Sequence, residues 1–590
     1  MRFLKVAEYY RKIEETSGRL EMISLLKSLF LELKDSPEDL EKIAYLTIGK
    51  LRPDYEGVEL GIGEKLALKA ISLSTGIKES RINSEYKKLG DVGLLAEWAI
   101  KNRAITPFIT EELTISRVYK DLLKIAKASG QSSQDIKIRT FAGLLSDAEP
   151  IEARYIARIV MGKLRLGVQD MTVLDALAEA FLGSRSKRPL LEQKYNIYPD
   201  IGHIARVVAE EGEEGLEKIK VKLGVPIRPM LAQRLKSAKE ILEKAGPRII
   251  AEYKYDGERM QIHVHKDGRV EIFSRRLENI TNPYPDVAEA FSRYFSGREV
   301  ILDSETVAVN PNTGEILPFQ ELMHRRRKYG IEKAIEEYPA TTYVFDVLYL
   351  DGKSLIDVPL EERRRMLEEL LPKDHDLIKE VTYRVVEDEE ALEQFFEEAI
   401  EYGTEGVMAK DPRSVYQAGV RGWSWIKLKR SYMSKMVEPV DLVVVGAFAG
   451  KGKRAGTYGA LLMAVYDPKT DRYKTVCKMG SGFTDEELAA LPDRLKEYKI
   501  QFKDPSVESK LEADVWFRPA VVLEVIGDEI TLSPVHTCAW GAIRKNSGLA
   551  IRFPRFTGRW RDDKGPEDAT TEEEIISMYK AQLTKVTEES

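Results

Sequence analysis

A lysine ends a predicted strand in the segment AEYKYDGERM, which covers residues 251–260. The apolar residues before it favour a β-strand, and the pair Asp256-Gly257 is a turn signal, so we expect Lys254 where the strand ends. An amine in that position can act as a nucleophile that carries a transferred group covalently. In isolation, a lysine with charged neighbours is more often a solvated residue at a sheet edge.

Four further segments place reactive residue types at predicted strand ends. Carboxylates at Glu305 and Glu405 are hard oxygen ligands that suit Mg²⁺. The side chains of Arg275, Lys427 and Lys429 supply cations for phosphate oxygens. Phosphoryl and nucleotidyl transfer require this combination, because their catalysis consists mostly of positioning and of neutralising charge.

The basic glycine-rich loop at residues 450–457 is not a Walker A motif. The spacing between Gly446 and Gly450 is one residue short, and no Ser or Thr follows the lysine to hold Mg²⁺. A nucleotide must therefore be held elsewhere in the chain.

The elements that would position these groups begin with a predicted all-α domain at residues 1–222. Apolar residues recur there at helical spacing, as at Leu26, Phe30 and Leu33. Further helices are predicted at residues 62–72, 94–102 and 111–129. Two prolines in residues 223–232 end the pattern and indicate a linker into a second domain.

A candidate phosphate-binding turn lies near the end of this helical domain. Arg158, Lys163 and Arg165 are expected on or just after a helix that Gly167 ends, and Asp170 is expected to cap the next helix. Backbone N–H groups and cations that converge at such a turn suit a phosphate. A solvated helix face is the alternative that the pattern leaves open.

Residues 223–432 alternate between predicted strands and helices, and tight-turn signals between the strands favour mostly antiparallel sheets. The strand candidates are residues 249–253, 261–265, 270–273, 300–309, 342–350, 406–409 and 425–428. In residues 433–590 we predict about five strands and one helix, which Thr484 and Glu487 begin as a capping box. Five strands with one helix are the content of an OB-type β-barrel.

Composition limits the class of protein. The chain of 590 residues is too long for one core, and its net charge of -6 excludes a uniformly basic nucleic-acid coat. The two cysteines indicate a reducing compartment, and the start of the chain is too charged for a signal peptide, so we expect a cytoplasmic protein without a membrane segment. Charged residues make up 32%, a weak sign of a heat-adapted source.

Several segments resemble, in the same order, the motifs of the covalent nucleotidyltransferases. They are Lys254-Tyr255-Asp256-Gly257 with Arg259, SRRLENIT, LDSE, YVFD, EGVMAK, WIKLK and the ending Arg552-FPRFTGRWRDD-Lys564. A single four-residue match is weak, whereas so many in order are not chance. Within that superfamily, the helical domain with GKLRLG and the linker IRPMLA are similar to ATP-dependent DNA ligases of the archaeal and eukaryotic replicative type, over nearly the whole chain.

The resemblance implies a DNA-binding domain at residues 1–222, an α+β adenylation domain at 223–432 and an OB-fold domain at 433–590. It implies that Lys254 takes AMP from ATP, passes it to the 5′-phosphate of a DNA nick and allows the 3′-hydroxyl to seal the strand, in replication, repair, recombination and cell division. ADP and GTP stay open as nucleotides, and Mg²⁺ is expected, with Mn²⁺ open.

The resemblance also implies a role for each matched residue. Glu252 would read the adenine and Phe345 would stack on it, Glu305 would face the ribose or the metal, and Glu405 would bind the metal. The cations that would contact the nucleotide, the nick phosphate or the pyrophosphate are Arg259, Arg275, Arg421, Lys427, Lys429, Arg555, Arg561 and Lys564. The DNA contacts of the helical domain would be Arg158, Lys163 and Arg165.

The expected partner is nicked duplex DNA, bound by a monomer, and a sliding clamp is a further candidate partner, although no segment convincingly matches a clamp-binding box. A hinge near residues 430–440 would let the last domain close on the active site. Two alternatives remain: an RNA ligase or capping guanylyltransferase, and a DNA-binding scaffold without activity. The first would not call for a large helical domain, and the intact Lys254 and Lys564 oppose the second.

Overall fold

The computed structural model describes residues 1–309, 316–317, 319–326, 330–429, 438–450, 456–527, 529–533, 535–552 and 554–588. The chain divides into two compact units, Met1–Lys220 and Val221–Ser590. Within the described ranges, no helix combines the length and the apolar character needed to cross a membrane. The predicted hinge lies mostly outside the described residues, since 430–437 are not described, and so do residues 451–455 of the glycine-rich loop.

The first unit is built from helices whose apolar faces form one core, and Leu26 and Phe30 of the predicted pattern are both buried in it. The helices are α1 (Phe3–Glu15), α2 (Arg19–Glu32), α3 (Pro37–Thr47), α4 (Glu64–Thr75), α5 (Glu79–Leu89), α6 (Val92–Lys101), α7 (Ile115–Lys127), α8 (Ser133–Asp147), α9 (Pro150–Val160), α10 (Asp170–Phe181), α11 (Arg188–Ile197) and α12 (Ile201–Glu217). The all-α prediction for this part of the chain is confirmed.

Two local predictions in this unit were wrong. Helix α9 ends at Val160, where Gly162 takes a left-handed φ of 65°, and not at Gly167. Asp170 is the first residue of α10 rather than its cap, and its carboxylate accepts a hydrogen bond of 2.5 Å from the Tyr195 hydroxyl. Both errors arise because several glycines and polar residues follow one another here, and sequence alone does not rank them as helix stops or caps.

The second unit begins with two sheets that are mostly antiparallel, as predicted. One has five strands in the order β1-β11-β10-β2-β9, and the other joins β4-β3-β5-β6-β7, with β8 added beside β6. The strands are β1 (Leu231–Arg234), β2 (Ile249–Lys254), β3 (Glu258–Val264), β4 (Val270–Ser274), β5 (Val300–Ala308), β6 (Ala340–Leu350), β7 (Lys353–Ser354), β8 (Ile378–Glu380), β9 (Tyr383–Val386), β10 (Gly406–Lys410) and β11 (Arg421–Lys429).

Helices cover these sheets and close two apolar cores, one against each sheet. They are α13 (Ala238–Ala245), α14 (Pro285–Tyr294), α15 (Phe319–Met323), α16 (Ile331–Glu337), α17 (Leu360–Leu370) and α18 (Glu389–Glu401). All seven predicted strands are present. The strands that the pattern missed, such as β1, β7 and β8, have two to four residues, too few to show an alternation.

The rest of the second unit is a β domain in which one curled sheet follows the path β15-β17-β12-β13-β14-β16. Strand β18 pairs with β12, β21 pairs with β18, and β19 pairs with β20 in a separate two-stranded sheet. Its strands are β12 (Val440–Ala449), β13 (Tyr458–Asp467), β14 (Arg472–Met479), β15 (Lys499–Ile500), β16 (Val507–Glu508), β17 (Val515–Phe517), β18 (Val522–Ile526), β19 (Glu529–Ser533), β20 (Gly548–Arg552) and β21 (Arg555–Trp560). Its helices are α19 (Asp485–Leu495) and α20 (Glu572–Glu588).

This domain agrees in class with the predicted OB-type barrel, but the predicted inventory was too small. The capping box of Thr484 and Glu487 at α19 is confirmed. Strands β19 to β21 and helix α20 were missed, although the acidic first turn of α20, Glu572 to Glu574, is a helix-start signal that sequence reasoning could have used.

Candidate active site

Three neighbouring strands place the candidate nucleophile and its partners on one face of the five-stranded sheet. In the register of β2, β10 and β11, Lys254 lies opposite Gly406, which in turn lies opposite Lys429. One step along, Glu252 lies opposite Met408, which lies opposite Lys427. Because directly opposed side chains share a face and lie about 5 Å apart, the pairing brings distant sequence motifs into one site.

The ammonium group of Lys254 contacts one carboxylate. Its Nζ lies 2.6 Å from Oε2 of Glu405, and Nζ of Lys429 lies 3.0 Å from the same oxygen. Burial by itself would raise the pKa of Glu405, but Lys254 and Lys429 outweigh it and hold that pKa well below its usual range. Glu405 is therefore ionised.

The motif glycine beside the lysine is required by a close approach of two strands. A Cβ on Gly257 would lie 2.1 Å from the backbone oxygen of Thr306 on β5, closer than any side chain allows. This approach lets the Gly257 N–H donate to Oε1 of Glu305 at 3.2 Å. The Asp-Gly turn therefore brings a second carboxylate towards Lys254.

Three carboxylates lie in the pocket that contains the lysine: Asp256, Glu305 and Glu405. Burial raises the pKa of Glu305 to about 7, and burial together with Glu405 raises the pKa of Asp256 to about 6. Among the described residues no group of three such side chains is already arranged as a metal site. Mg²⁺ nevertheless needs only one or two carboxylates when substrate phosphates supply the other oxygens. The donor chemistry of Glu305 and Glu405 fits such an ion.

The other wall of the pocket carries an excess of cations. In the described part of the chain, the side chains of Lys427 and Arg275 have no hydrogen-bond or ion-pair partner, and the Nε of Arg275 is buried. Burial and the charge of Lys429 hold the pKa of Lys427 well below its usual range. Burial and the nearby Arg561 lower the pKa of Lys564 to about 7. Half-buried cations without counter-ions fit a ligand that brings several negative charges, such as a triphosphate.

The β domain supplies part of this wall. Lys564 and Arg561 both pair with Asp441, Arg561 at 3.3 Å. Arg559 lies 2.8 Å from Asp256 and 3.8 Å from Glu405, although it was not predicted as a site residue. Arg559 lies two residues before Arg561, which was a predicted site residue, and β21 ends between them at Trp560. Side chains two residues apart in an extended chain share a face, so this spacing was the signal that could have found Arg559.

The end of the pocket beyond Glu252 is aromatic. The Phe345 and Trp425 rings meet edge to face at 6.1 Å, and Arg259 lies 5.5 Å from the centre of the Phe345 ring. Arg259 is itself held by Asp303, with Nη2 to Oδ2 at 2.7 Å and Nε to Oδ1 at 3.1 Å. A flat apolar surface beside polar groups suits a nucleobase.

One pocket collects the residues predicted for catalysis, nucleotide binding or metal binding, with the exception of Arg555. Its lining includes Glu252, Lys254, Arg259, Arg275, Glu305, Phe345, Glu405, Arg421, Lys427, Lys429, Arg561 and Lys564. Arg555 does not line this pocket and is exposed. Arg421 serves another contact as well, because its Nη1 lies 2.6 Å from Oε1 of Glu574 on α20.

The predicted phosphate-binding cations of the first unit are mostly paired inside that unit. Arg158 is 4% exposed and lies 2.8 Å from Glu14 and 3.2 Å from Asp91. Arg165 also pairs with Asp91, whose carboxylate caps α6. Lys163 is half-buried. In this structure Arg158 stabilises the packing of α6 on α9, and a role of these residues in DNA contact stays a prediction.

Comparison with known proteins agrees with the motifs. Family models match residues 2–178 as "DNA ligase N terminus", residues 229–429 as "ATP dependent DNA ligase domain" and residues 454–564 as "ATP dependent DNA ligase C terminal region". A DNA ligase 2 of Korarchaeum cryptofilum is 66% identical over 99% of this chain and 98% of its own length. A DNA ligase 2 of Thermofilum pendens is 55% identical over 99% and 98%, and a DNA ligase of Pyrobaculum calidifontis is 53% identical over 99% of both chains. The chain therefore belongs to the family of ATP-dependent DNA ligases.

Proposed function

We propose that this protein seals nicks in duplex DNA through a covalent lysyl-AMP on Lys254. The observation that carries the proposal is that Lys254 contacts ionised Glu405 in a pocket that is also lined by Arg275 and Lys427. We divide the work among a DNA-binding domain at residues 1–222, an adenylation domain at 223–432 and an OB-type domain at 433–590. An RNA ligase or a capping enzyme is not favoured, because residues 2–178 match a DNA ligase model.

In the first step the Nζ of Lys254 attacks the α-phosphorus of ATP. The new N–P bond replaces the bond from that phosphorus to the bridging oxygen, and pyrophosphate leaves with the electron pair while the amine loses a proton. Lys429 and Lys427 would neutralise charge at the α-phosphate, and Arg561 and Lys564 would orient pyrophosphate. A divalent cation held by Glu405 and Glu305 would withdraw charge from the phosphate oxygens.

In the second step an oxygen of the nick's 5′-phosphate attacks the same phosphorus, and the N–P bond of Lys254 breaks with return of a proton to the amine. In the third, the 3′-hydroxyl attacks the 5′-phosphate, forms the phosphodiester and releases AMP. The contacts of Arg561 and Lys564 belong to the first step only, so we propose that the OB-type domain leaves the pocket afterwards by a hinge near residues 430–440.

Incubation with ATP labelled at the α-phosphate tests this proposal. We expect one covalent label for each chain, released as labelled AMP when nicked DNA is added, with a sealed strand as the second product. The DNA contact would run mainly through phosphates, so sealing at limiting DNA should weaken steeply with salt and vary little with sequence. Failure to label, or sealing of RNA ends in preference to nicked DNA, would contradict the proposal.

We further propose that the enzyme works as a monomer and that a sliding clamp is a partner of its first unit. The loop between α6 and α7 exposes apolar side chains, with Phe108 fully exposed and Ile109 83% exposed. Apolar side chains that project so far from a soluble unit are typical of residues that enter a partner's pocket. We therefore propose this loop as the contact with the clamp.

Replacement of both residues, Phe108→Ala with Ile109→Ala, should reduce clamp binding by at least about tenfold, which corresponds to the loss of about 1.4 kcal/mol. We would measure clamp affinity by calorimetry, and nick sealing with and without clamp. Nick sealing without clamp should stay as in the parent protein. The matched control is Leu20→Ala, since Leu20 is 66% exposed on α2. Equal clamp affinity of the double variant and the parent would remove the loop from consideration.

A further inference from the structure

A buried charged cluster lies behind the aromatic end of the pocket, and the chemistry of nucleotidyl transfer does not use it. Its centre is Glu252 on β2, which is 2% exposed. Lys410 on β10 is 1% exposed and Arg364 on α17 is 4% exposed. Ions buried this deeply are costly, so the cluster must be maintained for its effect on the site or on the fold.

Both oxygens of the Glu252 carboxylate accept from cations. Oε2 lies 2.6 Å from the Nζ of Lys410, and Oε1 contacts Nη2 of Arg364. A carboxylate held by two donors of positive charge is kept in its ionised form, in which it accepts hydrogen bonds and donates none. Glu252 nevertheless lines the nucleotide pocket.

The two cations are themselves fixed in position. The Nζ of Lys410 lies 4.0 Å from the centre of the Trp425 ring and 4.5 Å from that of Phe345. Arg364 donates to the backbone oxygen of Phe345 at 3.2 Å and pairs with Glu380 at 3.5 Å. The aromatic surface that would stack on a base and the carboxylate beside it are thus held by the same two side chains.

Adenine and guanine differ in what they offer such a carboxylate. Adenine carries an amino group that donates, whereas guanine and hypoxanthine carry a carbonyl oxygen that accepts at the same ring position. An ionised carboxylate binds the first and repels the second. If Glu252 lost a cation, burial would favour its protonated form, which can donate to a carbonyl.

We propose that Lys410 and Arg364 are positioning residues that set the choice of nucleobase, by holding Glu252 as an ionised hydrogen-bond acceptor directed at the amino group of adenine. The inference rests on the proposed function, because it assigns a base preference to the same lysyl-AMP reaction. The proposed role predicts that GTP is not used and that nucleotides with a 6-amino group are preferred, whether they are diphosphates or triphosphates.

The sharpest probe is ITP, which has a carbonyl where ATP has the amino group. We expect the kcat/KM of the parent protein for forming lysyl-AMP from ATP to exceed that for forming lysyl-IMP from ITP by about 10³-fold or more. A site built to pair with a donor rejects an acceptor. In Lys410→Met this ratio should fall at least about tenfold, and it should fall further as the pH is lowered, since Glu252 then takes up a proton. The parent's ratio should change little over the same pH range.

Arg363→Met is the matched control. Arg363 neighbours Arg364 on the same helix and makes an equally buried ion pair, with Asp346 at 2.7 Å, but it does not touch Glu252. It should lower the thermal midpoint without changing the ATP to ITP ratio. If Lys410→Met does not fold, Glu252→Gln is the variant to test. An amide both donates and accepts hydrogen bonds, so the ATP to ITP ratio should then lie within about tenfold of unity.

The outcomes separate the two proposals. A parent protein that forms no covalent nucleotide and seals no pre-adenylated nick contradicts the proposed function itself. The other outcome is a parent protein that does both, while Lys410→Met or Glu252→Gln loses rate with both nucleotides and keeps the parent's ATP to ITP ratio. That result contradicts only the base-selection role and means that the cluster stabilises the fold.

Discussion

Lys254→Ala should remove the covalent AMP label completely and should also abolish the sealing of ordinary nicked DNA. The Nζ that would form the N–P bond is the group in contact with Glu405 at 2.6 Å. Loss of the attacking group should cost at least about 10⁴-fold in rate, as with other covalent nucleophiles. Gel detection of labelled protein measures the first effect and a nick-sealing assay the second.

The same variant should still seal a nick that already carries AMP on its 5′-phosphate, because no bond to Lys254 forms or breaks in that step. Lys266→Ala, in the turn between β3 and β4, is the matched control and should label like the parent protein. A covalent label that survives in Lys254→Ala would show that another side chain carries the AMP.

Lys564→Ala and Arg561→Ala should reduce self-adenylation by about 10²–10³-fold, the usual cost of removing one group that stabilises developing charge. Both side chains line the pocket that contains Lys254 and are anchored by Asp441. We expect sealing of pre-adenylated nicks to fall much less, since no pyrophosphate leaves in that step. Single-turnover rates of the two reactions, measured side by side, give the comparison.

Point substitutions are preferable here to truncation before Arg552. Strand β21 pairs with β18, and Phe556 belongs to the core of the β domain, so truncation would remove part of that core. A thermal midpoint close to that of the parent is the necessary control for each point variant. Equal losses in the two reactions would mean that Lys564 and Arg561 act in sealing as well, and would contradict the proposed departure of the OB-type domain.

Much of this fold could be predicted because its longer elements carry their own signals. Periodicity identified helices such as Glu64–Thr75 and Ile115–Lys127, and alternation with turn pairs identified strands such as Val300–Ala308 and Ala340–Leu350. Strands of two to four residues, such as β7 and β8, were missed because so few positions show no period. The helix stop at Gly162 was placed wrongly because several turn formers lie close together.

The sequence by itself determined which groups are available for chemistry: a lysine before an Asp-Gly turn, carboxylates and cations at strand ends, and motifs in a fixed order. Residue type and local spacing suffice for that. Only the tertiary structure decided how those groups are paired, because pairing depends on contacts between residues far apart in the chain. It placed Arg559 on Asp256, buried Arg158 against Asp91, and enclosed Glu252 between Lys410 and Arg364. Burial turns such contacts into strong constraints on charge, since a buried ion must find a partner.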